Sequence, residues 1–288
     1  MIPNYIKYRM EEMTFKLKQN RILAALKKGN IPLGMQVYTG NPSIIEILAY
    51  TGFDFYMLDM EHSRVNVETM EHCIRAADAA GITTVVRVAE NNPTLIRQSI
   101  ESGAQGVIVP HIETAQDARR AVDAIRYPPE GKCGTCGSIR SAYWGGFQDY
   151  MEYSNKNVML IPLLENKTGI GNAEEIISQL KPGLDAVGIG RGDLLHSLQT
   201  EPGRETGARH PRRGLQHPDI RAAYEKVLSV SNTAGIPLID NVFGPEDAKS
   251  QVEMGIKILI YFIDQQLFYQ ICVEKVKEVK KLKLGGTK

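Results

Sequence analysis

The sequence predicts a single (β/α)8 barrel, and three observations lead there. Short apolar runs alternate with amphipathic helical patterns along nearly the whole chain of 288 residues. The runs lack the polar alternation of half-exposed sheets, as expected of parallel strands covered by helices. Eight such runs occur, and the chain length suits one barrel of roughly 250 residues.

In chain order, a first helix is predicted over 20–28, where Ile22, Leu23 and Leu26 share one side and Gly29 ends it. A strand over 31–37 follows. Asn41-Pro42-Ser43 then starts a helix that runs through Ala49 and closes at Gly52. Further strands are predicted over 55–59, 83–88, 106–110, 158–165, 186–190, 237–242 and 256–263. Between them, helical patterns cover 67–80, 93–103, 114–126, 173–180, 219–234 and 245–255. Helix after helix finishes on Ala-Gly, Ser-Gly or Met-Gly just before a strand, at Gly81, Gly103, Gly235 and Gly255. After the last strand, 268–284 alternates lysines with Ile271, Val273, Val276 and Val279, a surface helix with an apolar stripe. The expected layout is an extension over 1–19, one barrel domain over 20–284 with an extra N-terminal helix, and a tail over 285–288.

The rival architecture is an open doubly wound sheet. Against it, no G-x-G-x-x-G follows the first strand. Gly188-Ile189-Gly190-Arg191-Gly192 is glycine-rich but lacks the Lys-Ser/Thr of a P-loop, so it predicts backbone that closely approaches a ligand or a neighbour. Two connections are long. One, 111–157, holds a helix and then the Pro- and Gly-rich Arg126-Tyr127-Pro128-Pro129-Glu130-Gly131. The other, 194–218, carries Arg204, Arg209, Arg212 and Arg213 and is either a mobile lid or a solvated insertion.

Lys and Arg total 34 against 33 acids, and this balance gives no reason to expect nucleic acid or an anionic membrane as partner. Small molecules are expected instead. The N-terminus is charged throughout and no stretch reaches the roughly 18 apolar residues of a membrane span, so a cytoplasmic location is expected. Four cysteines fit a reducing compartment. Cys133-Gly134-Thr135-Cys136 is either a redox pair, half a zinc site or loop packing, and no second C-x-x-C completes a zinc site.

In a barrel all carboxyl ends of strands point to one mouth. The ends here supply Asp59, Glu61 and His62 after the second strand, Arg87 at the third, Glu165 at the fifth and Asp193 beyond the sixth. Two adjacent carboxylates repel unless a cation sits between them, so Glu165 and Asp193 are candidate ligands of Mg²⁺ or Mn²⁺. The alternative is that each caps a helix or pairs with a lysine such as Lys167. Arg87 is suited to a bidentate grip on a substrate carboxylate or enolate, or is satisfied by Glu61 or Asp59 within the fold. His62 is a candidate general base oriented by Asp59 or Glu61, with a structural role as the alternative. His111 is the weaker rival because no acid lies beside it in sequence. A Schiff-base route would need Lys167, which is also expected simply to be exposed.

Leu58-Asp59-Met60-Glu61-His62, Val85-Val86-Arg87, Arg126-Tyr127-Pro128-Pro129-Glu130-Gly131, Leu164-Glu165, Gly188-Ile189-Gly190, Gly192-Asp193-Leu194 and Gln216-His217-Pro218 occur in that order. Together they resemble the metal-dependent 4-hydroxy-2-oxoheptanedioate aldolases and related 2-keto-3-deoxy-acid aldolases, over about Asn20 to Leu284. The resemblance implies a barrel whose last helix is exchanged between subunits, usually in a hexamer. It implies a divalent cation (Mg²⁺, Mn²⁺ or Co²⁺) on Glu165 and Asp193, with Arg87 at the enolate oxygen and the amides of Gly192 and Asp193 at the carboxylate. His62, backed by Asp59, would be the base that cleaves a 4-hydroxy-2-oxo acid to pyruvate and an aldehyde. Ser63-Arg64, Cys133, Leu163 and Arg191 depart from the family pattern and bear on the aldehyde. Two further enzymatic readings keep the enolate site: oxaloacetate decarboxylation as in macrophomate-synthase-like relatives, and CoA-ester cleavage as in citrate-lyase relatives. A catalytically silent barrel with an assembly role is disfavoured by so costly a cluster of charges.

Overall fold

The computed structural model describes residues 18–145, 149–199 and 217–282. Most of the expected extension, the tail, and Arg204, Arg209, Arg212, Arg213 and Gln216 lie outside the described residues. Eight parallel strands close into a barrel in sequential order, as expected. They are β1 (Leu33–Val37), β2 (Phe55–Asp59), β3 (Thr83–Arg87), β4 (Gly106–Val109), β5 (Met159–Leu164), β6 (Val187–Ile189), β7 (Leu238–Val242) and β8 (Ile258–Ile263).

The helices are α1 (Arg21–Lys27), α2 (Pro42–Tyr50), α3 (Val67–Ala80), α4 (Pro93–Ser102), α5 (Ala115–Ile125), α6 (Tyr150–Asn157), α7 (Lys167–Gly171), α8 (Ala173–Ile177), α9 (Arg191–Gln199), α10 (Pro218–Ala234), α11 (Pro245–Met254) and α12 (Asp264–Lys280). Many starts are fixed by side chains the sequence displays: the Asn41, Asn66 and Asn92 oxygens each accept from amides of the following helix. At the other ends, α3, α4, α10 and α11 stop on glycines with φ between 68° and 111°, a region closed to most side chains.

Two layers of core follow from the strand period of two. Inside the barrel pack Phe55, Met57, Val85, Ile108, Met159, Ile161, Ile239, Ile258 and Ile260. Ile22 and Leu23 of α1 join this inner cluster and stopper the amino end of the barrel. Asn20 fixes the stopper, donating to the Gln105 and Asn157 carbonyls at 3.0 Å each. The larger cluster lies between strands and helices. With one end stoppered, the carboxyl end is the open one.

Continuing the inward series by two residues on each strand brings polar groups to that open end. Phe55 and Met57 lead to Asp59, Val85 leads to Arg87, and Gly34 leads to Gln36 and then Tyr38. Strand register sets Asp59 beside Arg87. Glycines in and just after β6 make room for β5 and the residue that follows it: a Cβ at Gly188 would strike Leu163, and one at Gly190 would strike the carboxyl of Glu165. The neighbour that this backbone approaches is therefore a strand of the same barrel.

Three expectations on element boundaries are corrected. The last helix begins at Asp264 rather than Phe268, because the Asp264 carboxylate takes the amides of Tyr38 at 2.9 Å and Thr39 at 3.2 Å and turns the chain straight from β8 into α12. The long 111–157 connection contains a second helix, α6, whose Tyr-Met-Glu-Tyr-Ser-Asn-Lys-Asn sequence has too little apolar periodicity to announce it. The long 194–218 connection opens as helix, since α9 runs on to Gln199 with Asp193 in its first turn.

Candidate active site

The open end of the barrel holds a cavity of about 300 Å³. Its lining includes Gln36, Tyr38, His62, Arg87, Glu165, Arg191, Gly192 and Asp193. Of the predicted site residues, His62, Arg87, Glu165, Gly192 and Asp193 border it directly, Glu61 does not line it, and Asp59 lies fully buried just behind Arg87.

Asp59 organises the β2 end. Its Oδ1 accepts from the amides of Glu61 at 3.0 Å and His62 at 2.8 Å, and its Oδ2 accepts from Gln36 Nε2 at 2.9 Å and from Arg87 Nη2. Ser63 Oγ donates to the Asp59 carbonyl and closes the turn. Asp59 thus supports His62 through its backbone amide, not through its ring. The ring is half exposed, and its nearest acid is Glu61, 3.7 Å from Nε2.

Arg87 is 8% exposed and held by two acids, Asp59 and Glu61, the latter 3.1 Å from Nη1. Burial works against its charge, but the Asp59 and Glu61 carboxylates outweigh it and hold the guanidinium above its ordinary value. Its buried Nε still has no hydrogen-bond partner among the described residues.

Glu165 is 3% exposed. Burial raises its pKa, the His111 amide and ring oppose the rise, and Glu61 and Asp193 add to it. Its Oε2 accepts from the His111 amide at 2.9 Å and lies 3.1 Å from His111 Nδ1. The other face of the same ring lies 3.1 Å from Glu61 Oε1. His111 therefore has two acids beside it, which corrects the expectation that it had none. Its backbone adopts φ 55°, an unusual value for histidine, to place the ring there.

Arg191, notable in the sequence only as a departure from the family pattern, is an anchor of this site. It is 5% exposed, donates through Nη2 to Asp240 at 2.6 Å and to the Asn241 carbonyl at 2.8 Å, and donates through Nε to Tyr224 at 3.2 Å. These bonds fasten the first turn of α9, where Gly192 and Asp193 stand. The first-turn amides of a helix have no intrahelical carbonyl to bond, so this turn presents donors to an anion. For both His111 and Arg191 the available signal was strand adjacency: the end of β4 must lie beside the end of β5, and β6 beside β7.

Lys167 is exposed at the start of α7 and borders a different hollow, with Leu198 and Lys226. Cys133 is buried in its loop, Cys136 is exposed, and neither is in a disulfide. Among the described residues no group of three or more His, Cys, Asp or Glu side chains converges as a metal site. A buried Glu165 whose carboxyl is crowded by Glu61 and Asp193 nevertheless suits a hard divalent cation, with water and substrate oxygens completing its coordination.

Fold and site define a closed barrel with a charged cavity at the carboxyl ends of its strands. The family model described as HpcH/HpaI aldolase/citrate lyase matches residues 33–259. A 2-dehydro-3,6-dideoxy-6-sulfogluconate aldolase of Pseudomonas putida is 33% identical over 232 residues, 80% of this chain and 85% of that protein. A 5-keto-4-deoxy-D-glucarate aldolase of Klebsiella pneumoniae is 36% identical over 238 residues, 82% of this chain and 87% of that protein. The crystal structure of a family member from Burkholderia cenocepacia superposes with a TM-score of 0.80 at 28% identity, covering 91% of this chain and 100% of that one. The chain belongs to the HpcH/HpaI aldolase/citrate lyase family and is a lyase of the aldolase type.

Proposed function

We propose that the protein reversibly cleaves a 4-hydroxy-2-oxo acid to pyruvate and an aldehyde. The observation that carries this reading is the buried Glu165 carboxyl, seated against Gly190 and beside Asp193, in a cavity that Arg87 also lines. A divalent cation, Mg²⁺ or Mn²⁺, held by Glu165 and Asp193 would supply Lewis-acid polarisation of the 2-oxo group. Gly192 and Asp193 offer their amides, fixed by the Arg191 anchor, to the substrate carboxylate. Arg87, kept charged by Asp59 and Glu61, faces the negative charge that develops on the 2-oxo oxygen as the C3–C4 bond breaks.

His62 is assigned as the base that takes the C4 hydroxyl proton, directly or through water. It lines the cavity, and Asp59 holds the turn that presents it. His111 is assigned to holding Glu165 and Glu61 in place. The relatives named for sugar-acid substrates support a short 2-hydroxyaldehyde as the product.

A homo-oligomer built through α12 belongs to the same proposal. No residue of α12 is buried, and Phe268 and Tyr269 are 71% and 70% exposed, which leaves its apolar face for a second copy. The test of the chemistry is methyl hydrogen exchange of pyruvate in D₂O with Mg²⁺ or Mn²⁺, followed by NMR. Metal-dependent exchange that Glu165→Gln abolishes is expected; no exchange with either metal would overturn the reading.

A further inference from the structure

Tyr38 stands at the rim of the cavity, one residue past the end of β1 and two beyond Gln36. Its main chain is fixed from α12, since the Tyr38 amide donates to Asp264 Oδ1 at 2.9 Å and the Thr39 amide donates to Oδ2 at 3.2 Å. Its phenol oxygen meets two neighbours: Gln36 Nε2 at 3.2 Å and, at the limit of a hydrogen bond, Arg87 Nη2 at 3.5 Å.

Donor and acceptor accounting fixes the direction of these bonds. Arg87 has no acceptor to offer. The amide of Gln36 is held at both ends, Nε2 donating to Asp59 Oδ2 at 2.9 Å and Oε1 accepting from Asn241 Nδ2 at 3.0 Å. The group that faces Tyr38 is therefore the amide nitrogen, again a donor. The phenol oxygen accepts from both, and its own proton is directed to neither. Among the described residues the phenol donates no hydrogen bond. Burial first, and then Asp59, push the phenol up to about 12, so the proton stays on oxygen at neutral pH.

We propose that Tyr38 is a catalytic residue, its O–H donating into the cavity to the same substrate oxyanion that Arg87 faces. The inference rests on the aldolase reading and adds to it a second, uncharged donor. An oxygen that becomes an enolate gains more from a fixed O–H than the ketone it starts as, so the contact favours the transition state over the ground state. The proton remains on tyrosine throughout, and no other group changes its protonation.

The test is Tyr38→Phe, which keeps the ring and removes only the donor, with thermal melting to compare its fold with the parent. Pyruvate methyl exchange in D₂O with Mn²⁺ is measured across pyruvate concentrations. Exchange in the variant is expected to fall on the order of a hundredfold at saturation with KM near the parent value, the loss typical of one oxyanion donor. Exchange at the parent rate would overturn the Tyr38 role and leave the aldolase reading standing. A loss confined to KM would also overturn it, because Tyr38 would then bind pyruvate without acting on the enolate. Absence of exchange in the parent protein would overturn both.

Discussion

Glu165 and His111 are joined twice, through the His111 amide at 2.9 Å and through Nδ1 at 3.1 Å, both to the same oxygen, Oε2. Oε1 takes part in neither contact, and under the proposed reading it is the oxygen that would meet a cation. His111→Ala keeps the amide bond but frees the carboxyl to rotate. Outer partners of metal ligands typically contribute ten- to a hundredfold in affinity. Mn²⁺ affinity, read by titration calorimetry or by the free-ion EPR signal, is expected to weaken by roughly that factor. An unchanged affinity would show that the backbone amide alone fixes Glu165.

His62 differs from His111 in having a half-exposed ring whose nearest acid is 3.7 Å away. Its removal leaves no buried group without a partner, so His62→Ala is expected to fold like the parent. Aldol cleavage requires a base at the C4 hydroxyl and is expected to fall roughly 10²–10⁴-fold. Oxaloacetate decarboxylation has no such hydroxyl and is expected to stay within a few-fold. Equal losses in the two reactions, measured as pyruvate release, would remove His62 from the role of base.

Asp59 joins four groups that serve different strands: Gln36 on β1, Arg87 on β3, and the two amides of the turn after β2. Removing one member of a buried ion pair costs about 3–5 kcal/mol, because the other charge is left uncompensated. Arg87 retains Glu61, so Asp59→Asn is expected at about the lower end of that range by urea denaturation. The same variant is expected to lose activity through Arg87 and the His62 turn together.

Barrel and site were legible in the sequence to different depths. Strands such as 55–59 declared themselves because a buried run bounded by turns has few other uses, and Asn66 and Gly81 marked both ends of α3. Asp59, Arg87, Glu165 and Asp193 were legible as strand ends, since closure sends every strand end to one mouth. Their partners were less so. That Glu61 reaches both Arg87 and His111, or that Arg191 anchors α9 on Asp240, depends on register and tilt between strands far apart in sequence. Gln36 and Tyr38 went unnoticed for the same reason: only the inward series of β1 brings them beside Arg87.

The four cysteines provide a check on both the loop packing and the assembly. Cys73 and Cys133 are buried, and burial pushes both thiols up to about 11, so the reactive thiolate is scarce at pH 8. Cys136 is exposed. Cys272 is exposed on the single chain and lies on the line Phe268–Cys272–Val276–Val279, the apolar stripe of α12 at helical spacing. With a maleimide at pH 8, Cys136 is expected to react fast in the native protein, and Cys73 and Cys133 only after unfolding. The rate at Cys272 depends on whether α12 lies against another copy. It is expected to be slow at micromolar protein and to rise toward that of Cys136 on dilution, or in Phe268→Glu, as mass photometry shows the oligomer dissociating. A Cys272 as reactive as Cys136 at every concentration would place the stripe in solvent and require a different contact between subunits.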